Sequence, residues 1–179
     1  DLAPLARLGP PMADSVASAD YQDVQRSGDI ADPRAMGQYL KGGFVNALTP
    51  EMARIAAEGL EPHPARATVL FAQQGGGAIS RVPTTATAFS QREVLGNLLC
   101  ITSYPHGTDG SGHMAWARSY WTSIEPFTYG FYVNDLEPTH TQAQVQANYR
   151  ENLARLVRVK DRYDPENLFR LNANIQPSR

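Results

Sequence analysis

The chain has 179 residues, 16 basic against 18 acidic side chains and a formal net charge of −2, with 42% hydrophobic and 19% charged residues. These proportions describe an ordinary globular domain, long enough to bury a core without metals or crosslinks. They argue against a dedicated nucleic-acid binder, the lone Cys100 rules out an intramolecular disulfide framework, and no apolar window approaches a membrane span, so neither nucleic acid nor membrane is expected as a partner.

The chain opens on Asp1, with Leu2, Leu5 and Leu8 at helical spacing, and reads as a piece of something longer. Residues 12–32 are polar and rich in small side chains, with turn signals at Gly28 and Asp32-Pro33, which predicts loop mixed with short helix. Thr49-Pro50-Glu51 announces a helix. Thr49 can cap free amides, Pro50 suits the first helical position and Glu51 favours the positive end of the dipole, while Met52, Ile55, Ala56 and Leu60 share one face. After Pro62 and Pro64 the period changes. Residues 67–73 and 78–82 are predicted as strands separated by Gly75-Gly76-Gly77, which mark a bulge, a bend or a close backbone approach.

Residues 95–104 form a third predicted strand, leading into a polar loop over 105–112. A helix follows over 113–125, with Ala117, Tyr120, Trp121 and Ile124 on one stripe and Pro126 as its stop. The aromatic-rich residues 127–134 are predicted as a strand. Thr141 and Gln144 then have the spacing of a capping box for a last helix, whose apolar stripe is Val145, Tyr149, Leu153, Leu156 and Val157 and which ends before Asp164-Pro165. Strands interleaved irregularly with helices predict an α+β domain built on an antiparallel sheet with flanking helices.

The chemistry of single motifs is thin. The triple glycine lacks the Gly-Lys-Ser/Thr of a phosphate loop and precedes a predicted strand rather than a helix. His106, Asp109 and His113 lie in a flexible glycine-rich stretch, a poor frame for a metal, and no metal is expected. Cys100, inside an apolar strand, reads as a buried inert thiol. Regular alternation over 127–134 would place Tyr132 and Asn134 on one face and Phe131, Val133 and Asp135 on the other. Either an aromatic core face or a stacking surface for a planar ligand fits that pattern. Residues 1–141 carry nine basic and fourteen acidic side chains and residues 142–179 seven and four, an acidic body with a basic tail.

Three segments taken together resemble a known family. Residues 163–175 (YDPENLFRLNANI) resemble the closing signature of FAD-linked oxidases of the berberine bridge enzyme type, within the vanillyl-alcohol oxidase superfamily. Gly130-Phe131-Tyr132-Val133-Asn134 resembles the Tyr-x-Asn segment before the terminal helix of those enzymes. Residues 76–83, followed by Ala86-Thr87-Ala88-Phe89 and Arg92, are similar to their sheet segment.

The resemblance implies that residues 1–140 are a substrate-domain portion, an antiparallel sheet covering the reactive face of FAD, and that residues 141–179 are a helix and tail docking on an FAD-binding domain not present in this sequence. It implies flavin contacts from Tyr132, Asn134, Asn172 and Asn174, and a substrate contact from Gln73. Relatives often place a tyrosine base directly after the strand asparagine, where this chain has Asp135, and a Gln or Glu where this chain has Thr102. Asp135 and Thr102 are therefore the candidate catalytic residues, although alternation turns Asp135 away from Asn134 unless the strand bulges. The implied activity is oxidation of an alcohol or amine carbon of a small-molecule substrate by hydride transfer to the flavin. The rival is a non-catalytic binding module that keeps the sheet and holds no flavin. If the tail packs on an absent domain, the stripe of the last helix should be partly exposed, or covered by a second copy of the chain as a homodimer.

Overall fold

A computed structural model describes residues 7, 9, 17–27, 29, 36–135, 140–171 and 173–179. The chain divides into two compact units, Asp1–Pro33 and Arg34–Arg179. The first contains helix α1 (Tyr21–Arg26), started by Asp20, whose carboxylate accepts from the Gln22 amide at 2.8 Å. The short helix expected in this polar segment is thus present, while Leu2, Leu5 and Leu8 lie outside the described residues.

The second unit is built on a three-stranded antiparallel sheet in the order β1-β3-β2, with β1 Met36–Val45, β2 Ala67–Gln74 and β3 Gly96–Pro105. Helix α2 (Pro50–Gly59) begins as its residues dictate: the Thr49 hydroxyl accepts from the Met52 amide at 3.1 Å and Pro50 occupies the first turn. Helix α3 (Ser111–Ile124) starts two residues before its predicted position and ends where Pro126 forces a 3-10 turn. Together α2 and α3 cover one face of the sheet. Val45, Leu98 and Cys100 pack there against Met52, Ala56, Tyr120, Trp121 and Ile124. The Tyr120 hydroxyl donates to the Ala56 carbonyl at 2.6 Å, so the phenol's one polar atom is satisfied inside the apolar layer.

Strand β1 is missing from the sequence reading. Its residues, MGQYLKGGFV, carry three glycines and no clean alternation. The expected strand over 78–82 is instead a run of turns. The glycines before it terminate β2. The Gly75 amide donates to the Leu95 carbonyl at 2.7 Å, and a Cβ at Gly75 would stand 2.4 Å from the Val94 carbonyl oxygen, so only glycine lets the two backbones approach.

The expected strand over 127–134 is also corrected. Pro126 and Gly130, the latter at φ +57°, break it into a 3-10 turn at Glu125–Phe127, a single bridge between Tyr129 and Phe44, and a second 3-10 turn at Val133–Asp135.

The last helix is two helices. Helix α4 (Gln142–Asn148) carries the predicted capping box between Thr141 and Gln144. A 3-10 turn at Arg150–Asn152, with Arg150 in the left-handed region at φ +50°, separates it from α5 (Leu153–Tyr163). Two buried asparagines mark the break. The Asn148 carbonyl accepts from the Ser90 hydroxyl at 3.1 Å, and the Asn152 amide donates to the Thr84 carbonyl at 2.8 Å, tying both ends of the break to the 84–91 loop. Of the expected stripe, Val145 is buried and Tyr149, Leu153, Leu156 and Val157 are half-buried, while Val159 and the tail side chains Leu168, Phe169 and Leu171 are exposed. The boundary expected at residue 140 falls inside the second unit.

Cys100 lies under α2 and α3, and burial pushes its thiol up to about 11. Thiolate is the reactive form, so Cys100 is expected to resist a neutral-pH alkylating reagent in the folded protein and to react once denaturant is added. Mass spectrometry before and after unfolding reads this directly, and full labelling of the native protein would contradict it.

Candidate functional site

Strand alternation assigns the two faces of the sheet. Register pairs Phe44 with Asn97 and Asn97 with Gln73, so these three share the face opposite α2 and α3. Farther along that face stand Leu99, Ile101, Val69 and Phe71, the last two 55% and 37% exposed. The loop over 88–94 and the 132–134 turn fold across the end of this face and enclose a cavity of about 730 Å³. Its aromatic walls are Phe44, Phe89, Tyr132 and Tyr149, and its polar groups include Gln73, Gln91, Asn97 and Asn134.

Three of the residues singled out in sequence, Gln73, Tyr132 and Asn134, therefore meet in one cavity. The Asn134 amide donates to the Tyr132 hydroxyl at 2.6 Å, which fixes the two side chains relative to each other. Phe89 stands edge-on to the Tyr132 ring, with centroids 6.4 Å apart, and to Phe44 at 6.0 Å.

Asp135 belongs to the same face by a different route from the one alternation suggested. The 3-10 turn replaces the strand, its first bond running from the Asp135 amide to the Tyr132 carbonyl at 2.8 Å. The carboxylate is thereby turned onto β3, where Oδ2 accepts from the Asn97 amide at 3.2 Å. Burial pushes the Asp135 carboxyl above the ordinary carboxylate range, and the bond from Asn97 opposes that rise.

Thr102 is not part of this arrangement. It pairs with Thr68 on β2 and Tyr39 on β1, an even number of residues from Leu98 and Cys100, so it points into the helix-covered layer. It is 0% exposed and its hydroxyl lies 3.4 Å from that of Thr68. Sequence alone gives strand and period but not which parity faces which layer, and the resemblance that marks Thr102 carries no information on that parity.

Asn174 is in neither place. Its carbonyl accepts from the Gln142 amide at 2.7 Å, and it lines a smaller hollow of the tail with Lys160, Leu168 and Phe169. That tail is folded by Asp164, which accepts from the Leu168 and Phe169 amides at 2.7 and 3.1 Å and pairs with Lys160. Asn172 lies outside the described residues. His113, in the first turn of α3 rather than in a loop, stacks on Tyr104 at 5.1 Å and stands edge-on to His63 at 5.3 Å. Among the described residues no group of three or more His, Cys, Asp or Glu side chains is placed to hold a metal ion.

Sequence reasoning missed Asn97 and Gln91. The Asn97 signal was available: a lone amide among apolar neighbours in LGNLLCITSY is a polar group that a buried strand must place against a partner. Gln91 is buried beside Asn148 and had no comparable signal, because its loop has no period to break.

The donor set can be tested against a flavin. Gln91 Oε1 and Asn97 Oδ1 are buried with no partner among the described residues, and four aromatic rings wall the space. Aromatic walls with amides along one side suit a planar ring that is apolar on its faces and polar at its edge.

Fold and cavity thus define an α+β domain, with helices on one side of the sheet and an aromatic, amide-lined recess on the other. The chain matches, over residues 131–176, the family described as berberine and berberine like. It is 30% identical over 184 residues to the uncharacterized FAD-linked oxidoreductase YgaK of Bacillus subtilis, covering 99% of this chain and 40% of that protein. It is 25% identical over 175 residues to an FAD-linked oxidoreductase of Dictyostelium discoideum, covering 97% and 38%. The fold is that of the Arabidopsis thaliana berberine bridge enzyme-like protein 28, with a TM-score of 0.68 over 81% of this chain and 34% of that one at 21% identity. The chain spans about two fifths of the length of the curated relatives it matches.

Proposed function

We propose that the chain is the substrate-covering portion, with its C-terminal tail, of an FAD-dependent oxidoreductase that oxidises an alcohol or amine carbon of a small molecule. One observation carries the reading: Gln73, Tyr132 and Asn134 converge in a single aromatic cavity beside Asp135, on the sheet face opposite α2 and α3. A flavin, when bound, supplies the two-electron acceptor for the substrate C–H bond. Within the chain, Tyr132 and Asn134 act as one hydrogen-bonded unit that meets the ring, and the Gln73 amide orients the substrate's polar group. Asp135 takes the proton from the substrate hydroxyl or amine as the carbon is oxidised. Exclusion of water falls to Phe44, Phe89 and Val94, which close the recess from the sheet side. The apolar tail, with Leu168, Phe169 and Leu171 exposed, docks on the FAD-binding part, which by resemblance also contacts Asn172 and Asn174.

Fluorescence titration of FAD with the protein, alone and together with its FAD-binding part, tests this. Saturable quenching is expected, weakened about tenfold or more by Asn134→Leu, the loss of one well-placed hydrogen bond. A protein that takes up no FAD in either setting overturns the reading and favours the non-catalytic binding module.

A further inference from the structure

We infer that Asn97 is the positioning residue for the Asp135 carboxylate, holding it over Gly42 at the edge of the cavity and keeping it in the proton-accepting form. The inference rests on the functional reading above and assigns a role that the resemblance did not supply.

The geometry comes from three elements. Asn97 lies on the central strand β3 and donates through Nδ2 to Asp135 Oδ2 at 3.2 Å. Gly42 lies on β1 across from Leu99, on the same face as Asn97, and a Cβ there would stand 3.4 Å from Asp135 Oδ2 and 2.8 Å from Leu99 Cδ2. The absent side chain is the space into which the carboxylate and Leu99 fit. The third element, the Val133–Asp135 turn, directs the carboxylate there through the bond from its amide to the Tyr132 carbonyl.

Asn97 is itself poorly served by this arrangement. Its Oδ1 is buried and has no partner among the described residues, so the amide satisfies Asp135 at its own expense. A buried acceptor left without a donor is unfavourable for stability, which points to a functional reason for retaining it. The chemistry supplies one. An amide N–H facing Asp135 stabilises the ionised carboxylate, which is the base, whereas the amide oxygen in that position would stabilise the protonated acid. A half-turn of the amide lets one residue serve both states of a proton-transfer cycle.

Among the described residues, the titratable side chains of the flanking strands point away from Asp135. On β1, Tyr39 and Lys41, and on β3, Cys100 and Tyr104, are directed by alternation to the helix-covered face. In its own turn Tyr132 is engaged by the Asn134 amide. Among the described residues, burial raises the proton affinity of the Asp135 carboxyl and the Asn97 bond lowers it.

The test is a carbon-detected NMR titration of the Asp135 carboxyl in the full chain, repeated in Asn97→Leu and Asn97→Asp. Each variant removes the donor at similar volume, and Asn97→Asp adds a like charge once it ionises. Proton affinity of Asp135 is expected to rise about tenfold in Asn97→Leu, the worth of one charge-assisted hydrogen bond, and further in Asn97→Asp. Asn97→Ser, whose hydroxyl restores a donor with less volume to place, is expected to recover part of the change, and Asn97→Asp serves if Asn97→Leu does not fold. In the FAD-loaded protein the acid limb of kcat/KM moves upward by the same factor. An Asp135 titration within about twofold of wild type in the folded variants overturns the inference even where FAD binds. Conversely, failure to bind FAD defeats the functional reading and leaves the NMR result standing.

Discussion

Replacing Asp135 by Asn is expected to lower the rate of substrate oxidation about 10²- to 10⁴-fold, the range for removing a general base, while the folded protein is retained. The sign of the accompanying stability change separates this role from a structural one. Asp135 has its carboxyl raised by burial, so the native state binds its proton more tightly than the unfolded chain does. Native stability is then favoured below the ordinary carboxylate range and falls as pH rises through the raised value, where a half-buried charge must be kept. Asp135→Asn removes that charge, and the Asn97 amide can turn to accept from the new donor. The variant is therefore expected to melt no lower than wild type at neutral pH, and slightly higher. Activity follows the opposite course: the base must be ionised, so the wild-type rate falls as pH drops through the raised value. Thermal melts at neutral pH beside steady-state rates check both halves. A variant that loses activity only in proportion to lost folding would remove Asp135 from the chemistry.

That residue also shows where sequence reading succeeds and where it stops. Local chemistry was legible. Thr49 and Thr141 cap helices where their spacing says they must, and the apolar strands at β2 and β3 are in place within a residue or two. The caps depend on bonds between residues three apart and the strands on short apolar runs, both of which a linear pattern records. The errors concern long-range choices. Parity of β3 relative to α2 and α3 decided that Asn97 rather than Thr102 faces the cavity, and parity follows from register against β1, a strand whose three glycines hid it. The aromatic run at 127–134 looks like a strand by propensity, yet Gly130 and Pro126 bend it because Tyr132 and Asp135 are placed by contacts with the sheet and with α4. Tertiary contacts there override a weak local preference, and the site lies where they do so.

The strongest of those contacts predicts the second large effect. Asn148→Ala is expected to destabilise the second unit by about 2–4 kcal/mol, since it removes the acceptor of two buried donors and leaves a cavity. Asn148 Oδ1 accepts from the Phe131 amide at 3.0 Å and from the Gln91 side chain at 3.4 Å, joining α4, the 84–91 loop and the segment that carries Tyr132, Asn134 and Asp135. Gly130 completes the junction. It adopts φ +57°, and a Cβ there would stand 2.8 Å from Asn148 Oδ1 and 2.9 Å from Gln91 Nε2. Gly130→Ala alone must therefore bear both a left-handed backbone strain of about 1 kcal/mol and a collision with Asn148. Once Asn148 is alanine the obstructing oxygen is gone, and Gly130→Ala should retain the backbone strain and the contact with Gln91 Nε2, the end of a side chain then free to turn aside. The double variant is expected to be more stable than the sum of the single losses predicts, by about 1 kcal/mol or more. Chemical denaturation of the four proteins measures this coupling. Additivity within about 0.5 kcal/mol would show that the two residues do not share one junction. The catalytic consequence follows from the same geometry: release of the Phe131 amide loosens Tyr132 and Asp135 together, so Asn148→Ala should reduce FAD affinity and oxidation rate in a protein that still folds at low temperature.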